Sequence, residues 1–155
     1  MSEVTDRCDR AMQQAVVDTL ENMVFMEVSP IPPESAAISP EDDMSVGLLI
    51  HDPLQGELRL RMPRKLVALI TAGVYSLEPE ELSDQMLADN FAELINIIAG
   101  RFMCELLTDG RPFRLGLPEP EPEELDPNSS HRFWSYAIDD LAFSITAMGQ
   151  ALWTE

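Results

Sequence analysis

An α/β (α+β) domain, with two long helices packed on antiparallel β-sheet, is what three features of this chain predict. Apolar residues recur at three- and four-residue intervals in two long stretches, which is the spacing of one helix face. Short apolar or alternating runs bounded by Gly, Pro and Asp follow each stretch, as strands do. The resulting order, a helix feeding about three strands, occurs twice, so an αβββ-type unit is repeated.

The first helix is expected from Thr5 to about Phe25, where Cys8, Met12, Ala15, Val16, Thr19, Leu20 and Met23 share a face and Thr5 can cap the N-terminus. The proline-rich passage from Ser29 to Asp43 forbids regular structure over most of its length. MSVGLLIH and GELRLRMP, separated by the turn-like DPLQG, read as an antiparallel hairpin. Pro63 opens a short helix, at a position where its missing donor would have no partner anyway. The second long helix starts at Pro79 or Ser83 and runs to Leu107, where TDG ends it. A short strand in PFRLGLP, a solvated acidic loop in EPEPEELDPNSSH, and a final pair of strands in RFWSYAID and LAFSITAMGQALW complete the chain. VFMEV and RFMCEL can be laid on each other as the ends of two related helices, which places Val16 opposite Glu93 and Thr19 opposite Asn96.

With 155 residues and 45% hydrophobic content, residues 1–155 form a single domain able to bury its own core. The charge of -18, from 28 acidic and 10 basic side chains, repels phosphate backbones and anionic lipid, so neither nucleic acid nor membrane is expected as a partner. The N-terminus shows no basic region followed by an apolar run, and no stretch approaches the ~20 apolar residues that span a bilayer. Two cysteines, Cys8 and Cys104, are too few for a disulfide framework and lack a neighbouring His arrangement for thiolate chemistry. Together these features predict a soluble cytoplasmic protein. His51 and His131 have no plausible ligand set and read as surface residues, and the nine methionines read as core packing. No metal site is expected.

Chemistry concentrates in the second long helix, DNFAELINIIAGRFMCELL. Phe91, Leu94, Ile95, Ile98, Phe102 and Leu106 form its apolar face. At ~100° per residue, Asp89, Glu93, Asn96 and Gly100 fall within an arc of roughly 60° on the far side, flanked by Ala92, Ile97 and Ala99. Polar residues on an exposed helix face are ordinarily just solvated. Two details set these apart. Asn and Gly are weak helix formers, Gly by about 1 kcal/mol relative to Ala, yet both stand in mid-helix. Local rules broken without visible compensation mark functional sites. A carboxylate and a carboxamide one turn apart, with Gly100 a turn further, make a surface that another backbone can approach closely.

The segment closely resembles the motif of the CheC, CheX and FliY phosphatases of bacterial chemotaxis: Asp or Ser, three residues, Glu, two residues, Asn, then a proline beyond the helix. Here the positions are Asp89, Glu93, Asn96 and Pro118, and the run NIIAG also looks like the family. The interval to Pro118 is one residue shorter than usual, a difference the turn around Asp109 and Gly110 can absorb. A single motif copy resembles the CheX branch, since CheC-type members carry two, and implies a CheC-like fold. What the resemblance implies is a phosphatase in chemotaxis, a two-component signalling pathway, acting on the aspartyl phosphate of a CheY-like response regulator. Asn96 would orient the attacking water, and Glu93 would pair with the regulator's active-site lysine. Asp89 and Gly100 would serve as further partner contacts, and Asp89 ranks below the other two polar residues. Mg2+ would belong to the regulator, with no cofactor in this chain. The resemblance further implies a homodimer through strand pairing at a sheet edge, with strands around Phe133 to Thr146 as candidates. The competing readings are a non-catalytic CheX-like module that binds a regulator or a flagellar switch component, and a purely structural acidic adaptor.

Overall fold

The N-terminal periodicity is realised as helix α1, Glu3–Val24, which buries Cys8, Met12, Ala15, Val16, Thr19 and Leu20. In the computed structural model, residues 3–32, 42–107, 110–123, 128 and 130–154 are described; the side chain of Thr5, the expected cap, lies outside that description. The hairpin forms as β2 (Asp43–Asp52) and β3 (Gly56–Pro63), in antiparallel register from Asp43 with Pro63 to Ile50 with Gly56. Pro63 precedes α2, Arg64–Tyr75. Ser83 begins α3, Asp84–Leu106, its hydroxyl accepting a hydrogen bond from the Met86 amide at 3.1 Å, while Pro79–Glu81 is a separate 3₁₀ turn. The chain then contributes β4 (Arg114–Leu115), β5 (Glu119–Pro120), β6 (His131–Ile138), β7 (Leu141–Met148) and the short helix α4 (Ala151–Thr154).

Three segments differ from the sequence reading. Ser29–Ile31, inside the proline-rich passage, is strand β1, and Glu119–Pro120, inside the acidic stretch, is β5. Both lie at sheet margins, where a proline's missing donor leaves no ladder bond unmade. The end of LAFSITAMGQALW is helical because the strand stops at Gly149. That residue has φ +113°, and a Cβ there would stand 2.5 Å from the Gln55 carbonyl oxygen. Only glycine lets the chain turn so tightly against the β2–β3 connection.

The sheet order is β1-β6-β7-β3-β2-β4, with β5 also on β2. Exchanging the strands of the first half (β1, β2, β3) for those of the second (β4, β6, β7) reproduces the same order reversed, so the αβββ repeat is visible in the topology. Each half lends its first strand to the other half's hairpin. The helix alignment suggested by VFMEV and RFMCEL is corrected by burial: Val16 and Thr19 are fully buried, whereas Glu93 and Asn96 are exposed. Sliding α1 by two residues matches the buried patterns and sets Gln14 and Val17 opposite Glu93 and Asn96. The polar pair still occurs in one helix only.

The expected edge is corrected in part. β7 pairs with β6 on one side and β3 on the other, so the β7 part of the Phe133 to Thr146 segment lies inside the sheet, whereas β6 has a described partner on its outer side only at Ser135–Ala137. The margin on that side is β1, which covers Ser135–Ala137 of β6. Leu58, Leu60 and Met62 of β3, with Tyr136 and Phe143 of the β6–β7 hairpin, build the core that α1 and α3 cover.

Candidate functional site

Helix α3 is amphipathic as read from its spacing. Phe91, Leu94, Ile95, Ile98, Phe102 and Leu106 are all buried. Asp89, Glu93 and Asn96 are exposed and Gly100 half-buried, so the polar stripe faces outward as one surface. Ala99, expected to flank the stripe, is fully buried instead and belongs to the core. Among the described residues neither the Glu93 nor the Asn96 side chain has an internal hydrogen-bonding partner, while Asp89 accepts one from Gln85 Nε2 at 2.8 Å.

Asn90, adjacent to the stripe, points the other way. Buried at 5% exposure, it donates to Thr71 Oγ1 at 3.0 Å, and that hydroxyl donates to the Val67 carbonyl at 2.7 Å. This buried relay fixes α3 against α2, because leaving such groups without partners would cost about 1–3 kcal/mol. Helical spacing from Leu87 and Leu94 to Asn90 was the signal that could have revealed it.

Two clefts flank the stripe. One, of about 540 Å³, lies between the N-terminal half of α3 and the start of β2, and Asp89, Ala92, Phe91, Pro120 and Glu121 stand in its wall. The other, of about 400 Å³, runs between α1 and α3 past Ala15, Ile97 and Gly100. Neither Glu93 nor Asn96 lines either of them. Pro120 stands beside α3, where β5 pairs it with Val46. Gly100 has helical geometry, and a Cβ there would meet nothing within 4 Å, so neither backbone conformation nor internal packing requires glycine.

The other reactive groups are elsewhere. Burial pushes the Cys8 thiol up to about 11, against the opposing pull of Arg132, so it is protonated at neutral pH. Cys104 is exposed beside the second cleft. His51 and His131 are exposed. Among the described residues no group of three or more His, Cys, Asp or Glu could hold a metal ion, and no helix is long and apolar enough to cross a membrane.

A convex site of this kind cannot exclude water from a small substrate, nor surround it. An amide and a carboxylate held one turn apart on a rigid helix can act only by entering a concavity that another molecule supplies. The family model for the chemotaxis phosphatase CheX matches residues 45–121, from β2 through α3 to the residue after β5. Over that stretch the chain belongs to the CheX family. A CheC-like protein from Shewanella sp. PV-4 has the same fold, with a TM-score of 0.74 at 15% identity over 96% of this chain and 98% of that one. CheX from Vibrio vulnificus gives 0.71 at 14% identity, over 95% and 96% of the two chains. CheX of Borrelia burgdorferi, solved in a complex with CheY, BeF3 and magnesium, gives 0.70 at 18% identity, over 90% and 96%. Among curated protein sequences nothing matches.

Proposed function

We propose that this CheX-family protein hydrolyses the aspartyl phosphate of a CheY-like response regulator. The observation that carries the reading is the outward presentation of Glu93 and Asn96, without internal partners among the described residues, on the exposed face of α3. An acyl phosphate is already activated, so its hydrolysis needs a water held in line with the leaving carboxylate oxygen more than it needs a strong base. The Asn96 carboxamide both donates and accepts, which suits it to hold that water. The water oxygen bonds to phosphorus as the phosphorus–carboxylate bond breaks, releasing inorganic phosphate and restoring the aspartate. Glu93 pairs with the regulator's active-site lysine, and water exclusion at that contact strengthens the pair beyond its surface value. Magnesium resides in the regulator's acidic pocket. The test is phosphate release from purified phosphorylated CheY-like proteins of the same cell. Release accelerated by this chain supports the reading, whereas binding without acceleration assigns the chain to the non-catalytic module instead.

Gly100 contributes clearance for the docked partner. Gly100→Ala is expected to raise folding stability by up to about 1 kcal/mol, since the methyl meets nothing and Ala is the better helix former. The same substitution should raise KM for the regulator. Denaturant unfolding and steady-state kinetics on one preparation check both signs, and a KM unchanged from wild type removes Gly100 from the contact.

The proposal includes a homodimer that pairs along the β1 margin, which would cover an otherwise open edge. Light scattering at micromolar concentration should return twice the mass of one chain. A single-chain mass overturns it.

A further inference from the structure

The cleft beside Asp89 has a composition that the hydrolytic step does not use. Its walls are apolar, built from Met44 and Val46 of β2, Phe91 and Ala92 of α3, and Pro120. Its mouth is acidic. The lining cation, Arg64, is bonded to Asp84, and Asp43 is compensated by Arg61 at 3.0 Å. Asp42 also lines the cleft and has an interaction of its own, which leaves Asp89, whose bonded neighbour Gln85 is neutral, and Glu121, which has no ion pair among the described residues. Asp89 lies one helical turn before Glu93 on the same face, so the cleft opens directly beside the polar pair.

An apolar trough of about 540 Å³ ending in carboxylates complements one kind of protein side chain. Lysine and arginine lay an aliphatic stem along apolar surface while the charged head reaches a polar rim. We propose that this cleft is a second anchor point for the response regulator, receiving a basic side chain whose stem packs on Met44, Phe91 and Ala92 and whose cation meets Asp89 and Glu121. The inference rests on the regulator being the partner and adds the chemistry by which it is gripped away from its phosphorylated pocket. Docking at two points also fixes the orientation of the complex, which in-line attack at phosphorus requires.

Two substitutions outside the hydrolytic pair test it in the full chain. Ala88→Trp, at an exposed position in the cleft wall, fills the trough; Glu121→Lys reverses the charge at its mouth. Each is titrated against a CheY-like regulator of the same cell activated with beryllofluoride and magnesium, with far-UV circular dichroism checking the fold. The dissociation constant is expected to rise about tenfold for each, ~1.4 kcal/mol of binding free energy. With Glu121→Lys, affinity should also depend less on salt. Charge reversal of one basic residue on the regulator should restore binding to Glu121→Lys. Wild-type affinity in both variants overturns the proposal and leaves the phosphatase reading intact. A loss of affinity for Ala88→Trp but not for Glu121→Lys overturns the basic occupant. If the unsubstituted chain neither binds nor dephosphorylates any such regulator, both proposals fall.

Discussion

Asn96→Ala is expected to lower stimulated phosphate release by about 10²-fold or more, while the affinity for activated regulator should stay close to that of the wild type. The size follows from the role. A group that holds the attacking water acts in the transition state and contributes little to the ground-state complex, so its loss falls on kcat. Comparable single-donor deletions at preorganised sites lower turnover by about 10²–10³-fold. Asn96 is exposed and Ala is the better helix former, so the variant should unfold no earlier than wild type. Loss of activity then cannot be ascribed to misfolding. Glu93→Ala should behave differently, weakening the complex as well, because in the proposed complex its carboxylate pairs with the regulator's lysine. Single-turnover phosphate release alongside a binding titration separates the two. Full turnover in Asn96→Ala would end the water-positioning role.

Phe102→Ala is expected to lower folding stability by about 3–5 kcal/mol, the range for deleting a buried aromatic ring. Phe102 is fully buried on the core face of α3, where the helix meets α1 and the sheet. Its removal leaves a cavity that rigid secondary elements on both sides cannot close. Urea unfolding should show a lower midpoint, and phosphatase activity should decline with the folded fraction rather than with a specific defect in kcat. A change below ~1 kcal/mol would mean that the surrounding layer collapses into the space, which the packing of α3 against α1 argues against. Asn96 and Phe102 lie on opposite faces of one helix. Together they divide it into an exposed surface and one that holds the fold.

The helix faces were legible because a repeat of ~3.6 residues is a local property of the chain. The buried set of α3 and the exposed stripe both follow from it. Proline misled where it stood at a sheet margin. Pro30 and Pro120 suggested irregular chain, yet the strands they enter are edge strands, and that position is decided by residues far away in sequence. The same limit explains why β7, expected as part of an edge, lies inside the sheet. Whether a strand is central depends on which strands flank it, and nothing within β7 records that it lies between β6 and β3.

The amino-acid order alone determined the two long helices, the β2–β3 and β6–β7 hairpins, the side of α3 that is apolar, and the resemblance carried by Asp89, Glu93 and Asn96. These depend on spacing within about a dozen residues, which backbone geometry translates directly into faces. Tertiary structure alone decided that Glu93 and Asn96 have no internal partners among the described residues, that Asn90 turns inward to Thr71, and that Gly100 has open space over it. It also assembled the acidic cleft, whose walls come from β2, α3 and β5. Those features arise from packing between segments distant in the chain, and long-range contacts leave no periodic trace in the residues that make them.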